Sequence, residues 1–485
     1  MHITSHANWN TKLMINGHLT SGDGEMLRVE NPATGDEITC FRQASVGQVN
    51  KAIDAAHCAF ESGVWSDGAI RREALLNMAA LMEEHKKEIG FAIIEEVGTP
   101  LNLIAPLQIG VPMAALRYYA DLATKDYTRA LGADIRSGAS SESVISYSPV
   151  GVVAAITAYN YPVLMMWLKL APALAAGCTA VLMPSPQTPL STLLFGKLIE
   201  RAGFPPGTLN ILVGGSDIGT ALTSSHKVAK ISFTGSSNVG SAVMSQAAAN
   251  VTGVVLELGG KSASIILPET CLESHIAAIH LRYLRNAGQG CASPTRILVH
   301  QDSFTEFLDL SHKFYSTVKV GDPLDLDTVC GPLISETHRS WVEGFIERAV
   351  SDGAKVVAGG GRPAGEKGWY MNPTLITGVK NSHEICREEL FGPVGVVLPY
   401  DSVEEAILMA NDSQYGLAAA IFGPVEIAKR VARKLRVGSV YINGGGATRM
   451  DAPFGGFKKS GLGREYGEES LMEYLEPQHI QWSIE

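Results

Sequence analysis

The apolar positions near the N-terminus follow the period of an α-helix. Residues 47–94 carry apolar side chains at spacings of three and four, in two stretches, which predicts amphipathic helices. Residues 143–149 alternate between apolar and polar side chains, a pattern typical of an exposed strand or arm.

From residue 150 onward, short apolar runs alternate with helical patterns. Pro162 is placed to open a helix and Gly177 to end it. This alternation predicts a parallel sheet with helices on both faces, and such sheets bind ligands at the carboxyl ends of their strands. The predicted elements are strands at 150–157, 179–183, 209–214 and 228–234, and helices from Pro162 to Gly177, from about Pro189 to Ala202, and just after Gly235.

A second alternation of strands and helices covers about residues 263–440. No long linker separates the two regions, so the sequence predicts interwoven domains of the α/β class. Its 485 residues suffice for about three domains or one large composite. The tail 470–485 is expected to pair with an edge strand or a second subunit, because it carries Leu471, Tyr474, Ile480 and Trp482.

The charge balance and the cysteines narrow the class of protein. The formal net charge is −10, with 39 Lys and Arg against 49 Asp and Glu, so no nucleic-acid partner is expected. No apolar run approaches the roughly 18 residues that span a bilayer, and the N-terminus lacks the apolar core of a secretory signal. The seven cysteines form no C-x-x-C pair, so we expect no disulfide framework, no metal site and a cytoplasmic location.

Cys291 is a candidate nucleophile. It stands in NAGQGCASPT, where Gly288, Gly290, Ala292 and Ser293 are small and leave the thiol accessible. A catalytic cysteine must be reachable and must be stabilised as the thiolate. Taken alone, a cysteine is more often a buried structural residue.

Glu257 and Asn160 follow predicted strands and are candidates for acid–base and oxyanion roles. Glu257, in VLELGGKS, stands beside flexible glycines, a position that suits a general base for water, although a solvated or ion-paired glutamate is the alternative. Asn160, in TAYNYP, can donate a hydrogen bond to an oxyanion or can cap the following helix. Gly235 and Ser236 join a strand to a helix whose free N–H groups suit a pyrophosphate, although a plain turn is the alternative.

Taken together and in order, these motifs resemble the aldehyde dehydrogenase superfamily, in its hydrolytic, NAD(P)-dependent branch. The resemblance covers nearly the whole chain. Its motifs run from NPATGDEI through TAYNYP, MPSPQTPL, FTGS, ELGGKS, GQGC, GDPLD and GPLIS to EELFGPV, NDSQYGLAAAIF and PFGGFKKSGLGREYG.

The resemblance implies a role for each matching residue. Cys291 matches the nucleophile, Glu257 the base that activates water, Asn160 the oxyanion amide, and Lys169 a lysine that relays protons or holds the site. Positions matching the cofactor site are Ile156, Thr157, Tyr159, Met183, Ser185, Pro186, Phe233, Thr234, Gly235, Ser236, Val239, Leu258, Gly259, Glu389 and Phe391. Positions matching the substrate site are Tyr161, Met165, Trp167, Gly290, Ala292 and Phe454.

The family reaction oxidises an aldehyde to a carboxylic acid. The resemblance implies a thiohemiacetal on Cys291, hydride loss to the nicotinamide, and a thioester that Glu257-activated water hydrolyses. One departure concerns the cofactor. Where the family commonly has Lys and Glu near the adenine ribose, this chain has Met183 and Pro186, which removes a group that repels a 2′-phosphate. We expect NAD as the cofactor, with NADP tolerated.

The substrate is expected to be a medium or bulky apolar aldehyde, aromatic or terpenoid. If Arg449 points into the site, a semialdehyde with a carboxylate becomes the alternative, whereas a surface arginine is the other interpretation of this residue. A catalytically silent binding member and a cofactor-free thiol esterase are further alternatives.

The resemblance also implies the architecture. We expect a Rossmann-like cofactor domain (1–124 and 148–259), an α/β catalytic domain (260–460), and a small β oligomerisation arm (125–147 with 461–485). This arm is expected to hold a homodimer or homotetramer.

Overall fold

The two alternating regions form two separate sheets in the computed structural model of the protein, which describes residues 9–135, 140–365 and 367–484. The strands are β1 (Leu13–Ile15), β2 (His18–Thr20), β3 (Met26–Glu30), β4 (Glu37–Arg42), β5 (Arg129–Asp134), β6 (Ser141–Pro149), β7 (Val152–Ile156), β8 (Thr179–Met183), β9 (Leu209–Ile211), β10 (Val228–Thr234), β11 (Gly253–Glu257), β12 (Ala263–Ile266), β13 (Arg296–His300), β14 (Lys355–Ala358), β15 (Thr374–Thr377), β16 (Val394–Tyr400), β17 (Tyr415–Gly416), β18 (Ala418–Phe422), β19 (Ser439–Ile442), β20 (Phe457–Lys458), β21 (Gly461–Leu462) and β22 (Leu475–Ser483).

The helices lie between and around these strands. They are α1 (Val46–Glu61), α2 (Gly68–Val97), α3 (Leu101–Leu103), α4 (Val111–Leu122), α5 (Pro162–Ala176), α6 (Leu190–Leu193), α7 (Ser216–Thr223), α8 (Ser237–Ala248), α9 (Leu272–Leu284), α10 (Phe304–Tyr315), α11 (Glu336–Ser351), α12 (Glu384–Arg387), α13 (Val403–Asn411), α14 (Val425–Ala432) and α15 (Gly467–Met472).

The first sheet has eight strands in the order β2-β1-β9-β8-β7-β10-β11-β21. Its five central strands, from β9 to β11, are parallel. Strands β7 and β8 and the whole of α5 are buried, as expected where helices cover both faces of a parallel sheet. Helix α5 ends at Gly177, which has a φ of 100° that favours glycine, so the predicted boundary is confirmed.

The second sheet has seven strands in the order β14-β15-β16-β13-β12-β18-β19. All of its pairs are parallel except the antiparallel edge pair of β14 and β15. Two parallel sheets flanked by helices confirm the predicted α/β class.

A three-stranded antiparallel sheet in the order β22-β6-β5 forms the arm. Strand β22 pairs with β6 along its whole length, from Leu475 opposite Pro149 to Ser483 opposite Ser141. Of the two expectations for the tail, the structure therefore shows pairing with an edge strand of the same chain. The predicted second segment of the arm, 461–485, begins with two residues that belong to the first sheet, because Gly461 and Leu462 pair with β11.

The predicted helix from about Pro189 to Ala202 is wrong in its length. The α-helix covers only Leu190–Leu193, and a 3₁₀ turn follows over Leu194–Lys197. One physical reason is that the Asn10 side-chain amide donates to the Leu193 carbonyl at 2.5 Å, which occupies an acceptor that a continuing helix needs. Within the described ranges, no helix has both the length and the apolar character needed to cross a membrane.

Candidate active site

The carboxyl ends of β7, β10 and β11 lie side by side at one edge of the first sheet. The register places Phe233 opposite Ile156, and Thr234 opposite Glu257. The Gly235 backbone N–H donates to the Glu257 carbonyl at 3.1 Å. Asn160 follows the end of β7, so parallel pairing alone brings three of the predicted regions to one edge.

The loop that leads to Cys291 has an unusual backbone. Asn286, Ala287 and Gly288 all have positive φ angles, of 51°, 54° and 75°. For the two non-glycine residues this region is disfavoured, and such conformations persist where the surroundings hold them. A Cβ on Gly288 would lie 2.1 Å from the Gly392 carbonyl oxygen, so glycine is required there.

The Gln289 side chain fixes this loop. Its Nε2 donates to the Asn286 and Pro332 carbonyls at 3.1 and 3.3 Å, and its Oε1 accepts from the Ile334 N–H at 3.0 Å. The thiol is thereby carried by a loop with fixed hydrogen bonds, as a positioned nucleophile requires.

Asn160 contacts the same loop. Its Nδ2 donates to the Gln289 carbonyl at 2.7 Å, and its own carbonyl accepts from Asn286 Nδ2 at 3.1 Å. The N-cap position of α5 is Tyr161, and that helix has no side-chain capping bond, so Asn160 does not cap it. An amide carries two N–H hydrogens, and the second is available for an oxyanion.

The Cys291 thiol is half-buried and lies among carboxylates. Burial, then Glu389, Glu257 and Glu465, raise its pKa to about 12. The thiol is therefore protonated at neutral pH, and its reaction needs a base in the site.

Glu257 supplies an unusual carboxylate. Its side chain is only 4% exposed, and neither carboxylate oxygen has a hydrogen-bond partner among the described residues. Burial and the charge of Glu465 raise its pKa well above the ordinary value, against the opposing effect of Lys169 and Arg464. A buried, unpaired carboxylate of raised pKa suits a general base that works near neutral pH.

Lys169 is fully enclosed in α5 and forms an ion pair with Glu465. Its Nζ lies 2.6 Å from Glu465 Oε1 and 3.2 Å from Ser232 Oγ. Glu465 was not predicted from the sequence as a site residue. One signal was available, because Lys169 is the single charge in an apolar helix and a buried lysine needs a carboxylate partner.

Glu389 and Phe391 lie next to the glycines that follow β11. The Gly260 N–H donates to Glu389 Oε1 at 2.9 Å, and a Cβ on Gly259 would lie 2.1 Å from Glu389 Oε2. Burial raises the pKa of Glu389 to about 7, which the Gly260 N–H and Lys261 oppose. The Phe391 ring, on a backbone with a φ of 53°, contacts Tyr159 edge to face at 5.7 Å.

The residues at the strand ends fit a dinucleotide cofactor. Thr157 Oγ1 and Thr234 Oγ1 are buried and lack hydrogen-bond partners among the described residues. Helix α8 starts beside them, with the Ser236 hydroxyl accepting from the Val239 N–H at 3.3 Å. Buried unpartnered hydroxyls beside a helix N-terminus suit the hydroxyl and phosphate groups of such a ligand.

The other predicted cofactor positions differ in exposure. Ile156, Met183, Phe233 and Leu258 are buried, and Val239 is exposed. Ser185 and Pro186 are half-buried after the end of β8. Pro186 has no carboxylate, so this side chain offers no acceptor for a ribose hydroxyl.

Three of the predicted substrate residues, Tyr161, Gly290 and Ala292, lie on or beside the thiol loop. The Tyr161 hydroxyl is 3.8 Å from the place that a Cβ on Gly290 would take. Phe454 contacts Tyr466 edge to face at 5.9 Å, and burial and the carboxylate of Glu465 raise the pKa of Tyr466. Ala292 is half-buried beside Cys291, and Met165 is buried in α5. Tyr466 was not predicted from the sequence.

Trp167 is fully buried, its ring contacts Phe195 at 5.5 Å, and its Nε1 has no hydrogen-bond partner among the described residues. Its place in the substrate site stays a prediction. Arg449 is exposed and its Nε donates to Asp451 at 2.8 Å, which is the surface position that the sequence analysis set against an inward one.

Comparison with known proteins shows the family of this chain. Residues 19–480 match the model of the aldehyde dehydrogenase family. The chain is 39% identical to 3-succinoylsemialdehyde-pyridine dehydrogenase of a Pseudomonas species (94% of this chain, 96% of that protein). It is 37% identical to geranial dehydrogenase of Castellaniella defragrans (92% of each). An NAD⁺ complex of aldehyde dehydrogenase from Bacillus cereus has a TM-score of 0.94 at 38% identity, over 99% of this chain and 97% of that one.

The fold and the site define an α/β protein with a half-buried cysteine, a buried carboxylate, and an amide that contacts the cysteine's loop. The chain belongs to the aldehyde dehydrogenase family.

Asn160 provides the first test of this geometry. Replacement by alanine removes the amide whose second N–H is available for an oxyanion, and we expect the turnover number for an aldehyde to fall by about 10²–10³-fold. The measurement is steady-state kinetics at saturating cofactor. Gln108→Ala is the control, because Gln108 Nε2 donates at 3.4 Å to the Asn160 carbonyl and not to the thiol side. Equal losses in both variants would assign Asn160 a structural role only.

Proposed function

We propose that this protein oxidises an aldehyde to the carboxylic acid with NAD⁺. The observation that carries the proposal is the gathering of Cys291, Asn160 and Glu257 at the edge of the first sheet, with both Glu257 oxygens free of partners among the described residues. A nucleophile, an oxyanion donor and an unpaired base are the groups that thiol-mediated oxidation and hydrolysis require.

In the first step, the Cys291 thiol transfers its proton to Glu257 while the sulfur bonds to the aldehyde carbon. The former carbonyl oxygen becomes an oxyanion that the Asn160 amide stabilises. Bound NAD⁺ supplies the acceptor for the hydride that leaves this carbon. The product of this step is a thioester on Cys291.

Before the second step, Glu257 releases this proton to solvent, and it then takes a proton from water as the water oxygen attacks the thioester. The carbon–sulfur bond breaks, the leaving sulfur takes the proton from Glu257, and the acid departs from the restored thiol. The unpaired Glu257 carboxylate supports hydrolysis over transfer to another acyl acceptor, because it has the raised pKa that water activation needs.

For the cofactor, Glu389 is proposed to bind the nicotinamide ribose and Phe391 to support the ring. The strand-end hydroxyls and the start of α8 are proposed to hold the pyrophosphate. Because Met183 and Pro186 replace the family's lysine and glutamate, we propose that NAD is preferred and NADP is tolerated.

For the substrate, we propose a medium or bulky aldehyde with an apolar body. Tyr161, Met165 and Phe454 offer aromatic and apolar surface, and a relative named geranial dehydrogenase supports this class. We also propose a homo-oligomer formed through the arm, where β22 exposes Ile480 (44%) and Trp482 (43%).

The test is NADH formation by the purified protein with 4-methylbenzaldehyde, with NAD⁺ and NADP⁺ in parallel. We expect one NADH per acid formed, with NAD⁺ the better cofactor. Cofactor binding without reduction, across a panel of apolar aldehydes and semialdehydes, would contradict the proposal and favour a silent binding member. Ester hydrolysis in the complete absence of cofactor, with no aldehyde oxidation, would favour a thiol esterase.

A further inference from the structure

The backbone of Phe391, whose ring is proposed to support the nicotinamide, is held by a histidine from another segment. Phe391 has a φ of 53°, in the left-handed region that residues with a side chain disfavour. Its carbonyl accepts a hydrogen bond from His338 Nε2 at 2.8 Å. No backbone N–H among the described residues donates to this carbonyl. The disfavoured conformation of Phe391 is therefore held at its carbonyl by the His338 side chain.

His338 is itself fixed in the first turn of α11. Its backbone N–H donates to the hydroxyl of Ser335, the N-cap residue of the helix, at 3.1 Å. Its ring stacks on the ring of the exposed Trp341, with 5.6 Å between the centroids and 20° between the planes. The same ring meets the Phe391 ring edge to face at 6.5 Å. Helix capping and ring stacking together fix where the His338 donor lies.

The protonation of His338 suits a neutral donor. A carbonyl can only accept a hydrogen bond, so Nε2 carries the hydrogen. Burial lowers the pKa of His338, against the opposing effect of its bond to Phe391, so the imidazole is neutral at neutral pH. His338 therefore holds Phe391 without adding a positive charge near a ligand whose nicotinamide ring is cationic.

The residue after Phe391 connects α11 to the thiol loop. A Cβ on Gly392 would lie 3.0 Å from a methyl group of Val342, which is one turn further along α11 than the histidine. On the other side, a Cβ on Gly288 of the thiol loop would lie 2.1 Å from the Gly392 carbonyl oxygen. Residues 391–392 are thus packed between α11 and the thiol loop, which leaves little room for a shift of this segment.

We propose that His338 is a positioning residue for the cofactor, because its hydrogen bond to the Phe391 carbonyl holds the Phe391 ring against the nicotinamide. The inference rests on the proposed function and extends it to a residue that sequence reasoning did not predict. His338 acts through Phe391, so its loss affects the nicotinamide end of the ligand. The pyrophosphate is proposed to bind at the strand ends and the start of α8, and its contacts stay intact.

The first experiment separates the hydrogen bond from the ring. His338→Phe keeps a ring that stacks on Trp341 and removes the donor, whereas His338→Gln keeps an N–H donor of similar reach and removes the ring. Calorimetry gives the Kd of NAD⁺ and the Kd of ADP-ribose, which lacks the nicotinamide ring. The preference for NAD⁺ is the Kd of ADP-ribose divided by that of NAD⁺. We expect His338→Phe to lower this preference about 3–10-fold and His338→Gln to retain most of it.

The matched control is another histidine that is bonded to a backbone carbonyl. His312 Nδ1 donates to the Val357 carbonyl at 2.9 Å, on the edge strand β14 of the second sheet. His312→Phe removes this equivalent bond and is expected to leave the preference for NAD⁺ unchanged. Thermal unfolding shows whether each variant folds. If His338→Phe does not fold, His338→Asn replaces it, because its amide is one methylene shorter than that of glutamine and does not reach the carbonyl.

Several results would overturn the role of His338. An unchanged preference in His338→Phe would do so, and so would equal losses of affinity for NAD⁺ and ADP-ribose, which indicate damage to the whole ligand site. An equal fall in His312→Phe would show that any lost histidine bond has this effect. An equal fall in His338→Gln would show that the donor is not the group that matters.

Oxidation of 4-methylbenzaldehyde by the wild-type protein, measured in parallel, separates this inference from the proposed function. Oxidation with an unchanged preference in His338→Phe would overturn the positioning role and leave the proposed function standing. A lowered preference in His338→Phe, without oxidation of any aldehyde by the wild type, would support the positioning role and contradict the proposed function. A wild-type protein that binds no NAD⁺ would overturn both.

Discussion

Replacement of Cys291 by alanine is expected to lower the rate of aldehyde oxidation by about 10⁴-fold or more, to the level of the background reaction. The reason is that both the carbon–sulfur bond of the first step and the thioester of the second require this sulfur, so nothing replaces the covalent route. The measurement is the steady-state rate of NADH formation with 4-methylbenzaldehyde.

The control for this variant must remove a thiol without touching the site. Cys58 is exposed on α1, and Cys58→Ala is expected to keep full activity. NAD⁺ binding, measured by calorimetry, is expected to persist in Cys291→Ala because the proposed cofactor contacts do not include the sulfur. Comparable loss of activity in both variants, or substantial oxidation by Cys291→Ala, would rule out the proposed nucleophile.

Replacement of Glu257 by glutamine is expected to slow both steps of the reaction, because Glu257 accepts the thiol proton and later activates water. Without this base, steady-state turnover falls by about 10²–10⁴-fold. Rapid mixing should therefore show no fast phase of one NADH per site. The alkylation rate of Cys291 by iodoacetamide tests this, since a smaller rate in Glu257→Gln assigns the thiol proton to Glu257.

The pH dependence follows from the raised pKa of Glu257. The base must be ionised, so wild-type turnover should fall as pH decreases through that raised pKa, and this limb should vanish in Glu257→Gln.

The raised pKa of Glu257 also makes the stability of the folded protein depend on pH, in the opposite direction. Because the folded state holds this proton more tightly than the unfolded state, ionisation of Glu257 destabilises the fold as pH rises above the ordinary carboxyl range.

Thermal unfolding at several pH values provides the control for folding. Glu257→Gln should be at least as stable as wild type, and its advantage should grow toward alkaline pH. If Glu257→Gln were less stable than wild type at every pH, the Glu257 carboxylate would have to make a stabilising interaction. That result would contradict its description as unpaired. An unchanged acidic limb in its turnover would assign the pH dependence to another group, such as Glu389.

The local sequence was sufficient to predict the placement of residues that lie at the ends of strands and helices. Glu257 ends β11, and Asn160 follows β7, so their placement at one sheet edge follows from parallel pairing once the strands are recognised. The boundaries of α5 follow from Pro162 and Gly177, because proline suits the first turn and glycine suits the left-handed end.

Other features depend on partners far away in the chain. The ion pair of Lys169 with Glu465 joins α5 to a segment near the C-terminus, and the interruption after Leu193 involves the amide of Asn10. The ring of Trp167 in α5 contacts Phe195, which belongs to a different segment of the chain.

The sequence by itself therefore predicted the α/β class and the family, which are confirmed, and it supplied the candidates for the nucleophile, the base and the oxyanion amide. These follow from local periodicity and from short motifs, whose residues are close along the chain. Only the tertiary structure decided the state of those groups: that both Glu257 oxygens lack hydrogen-bond partners among the described residues, and that Glu465 forms an ion pair with Lys169. Burial and charge pairing depend on distances between distant segments, which folding alone sets.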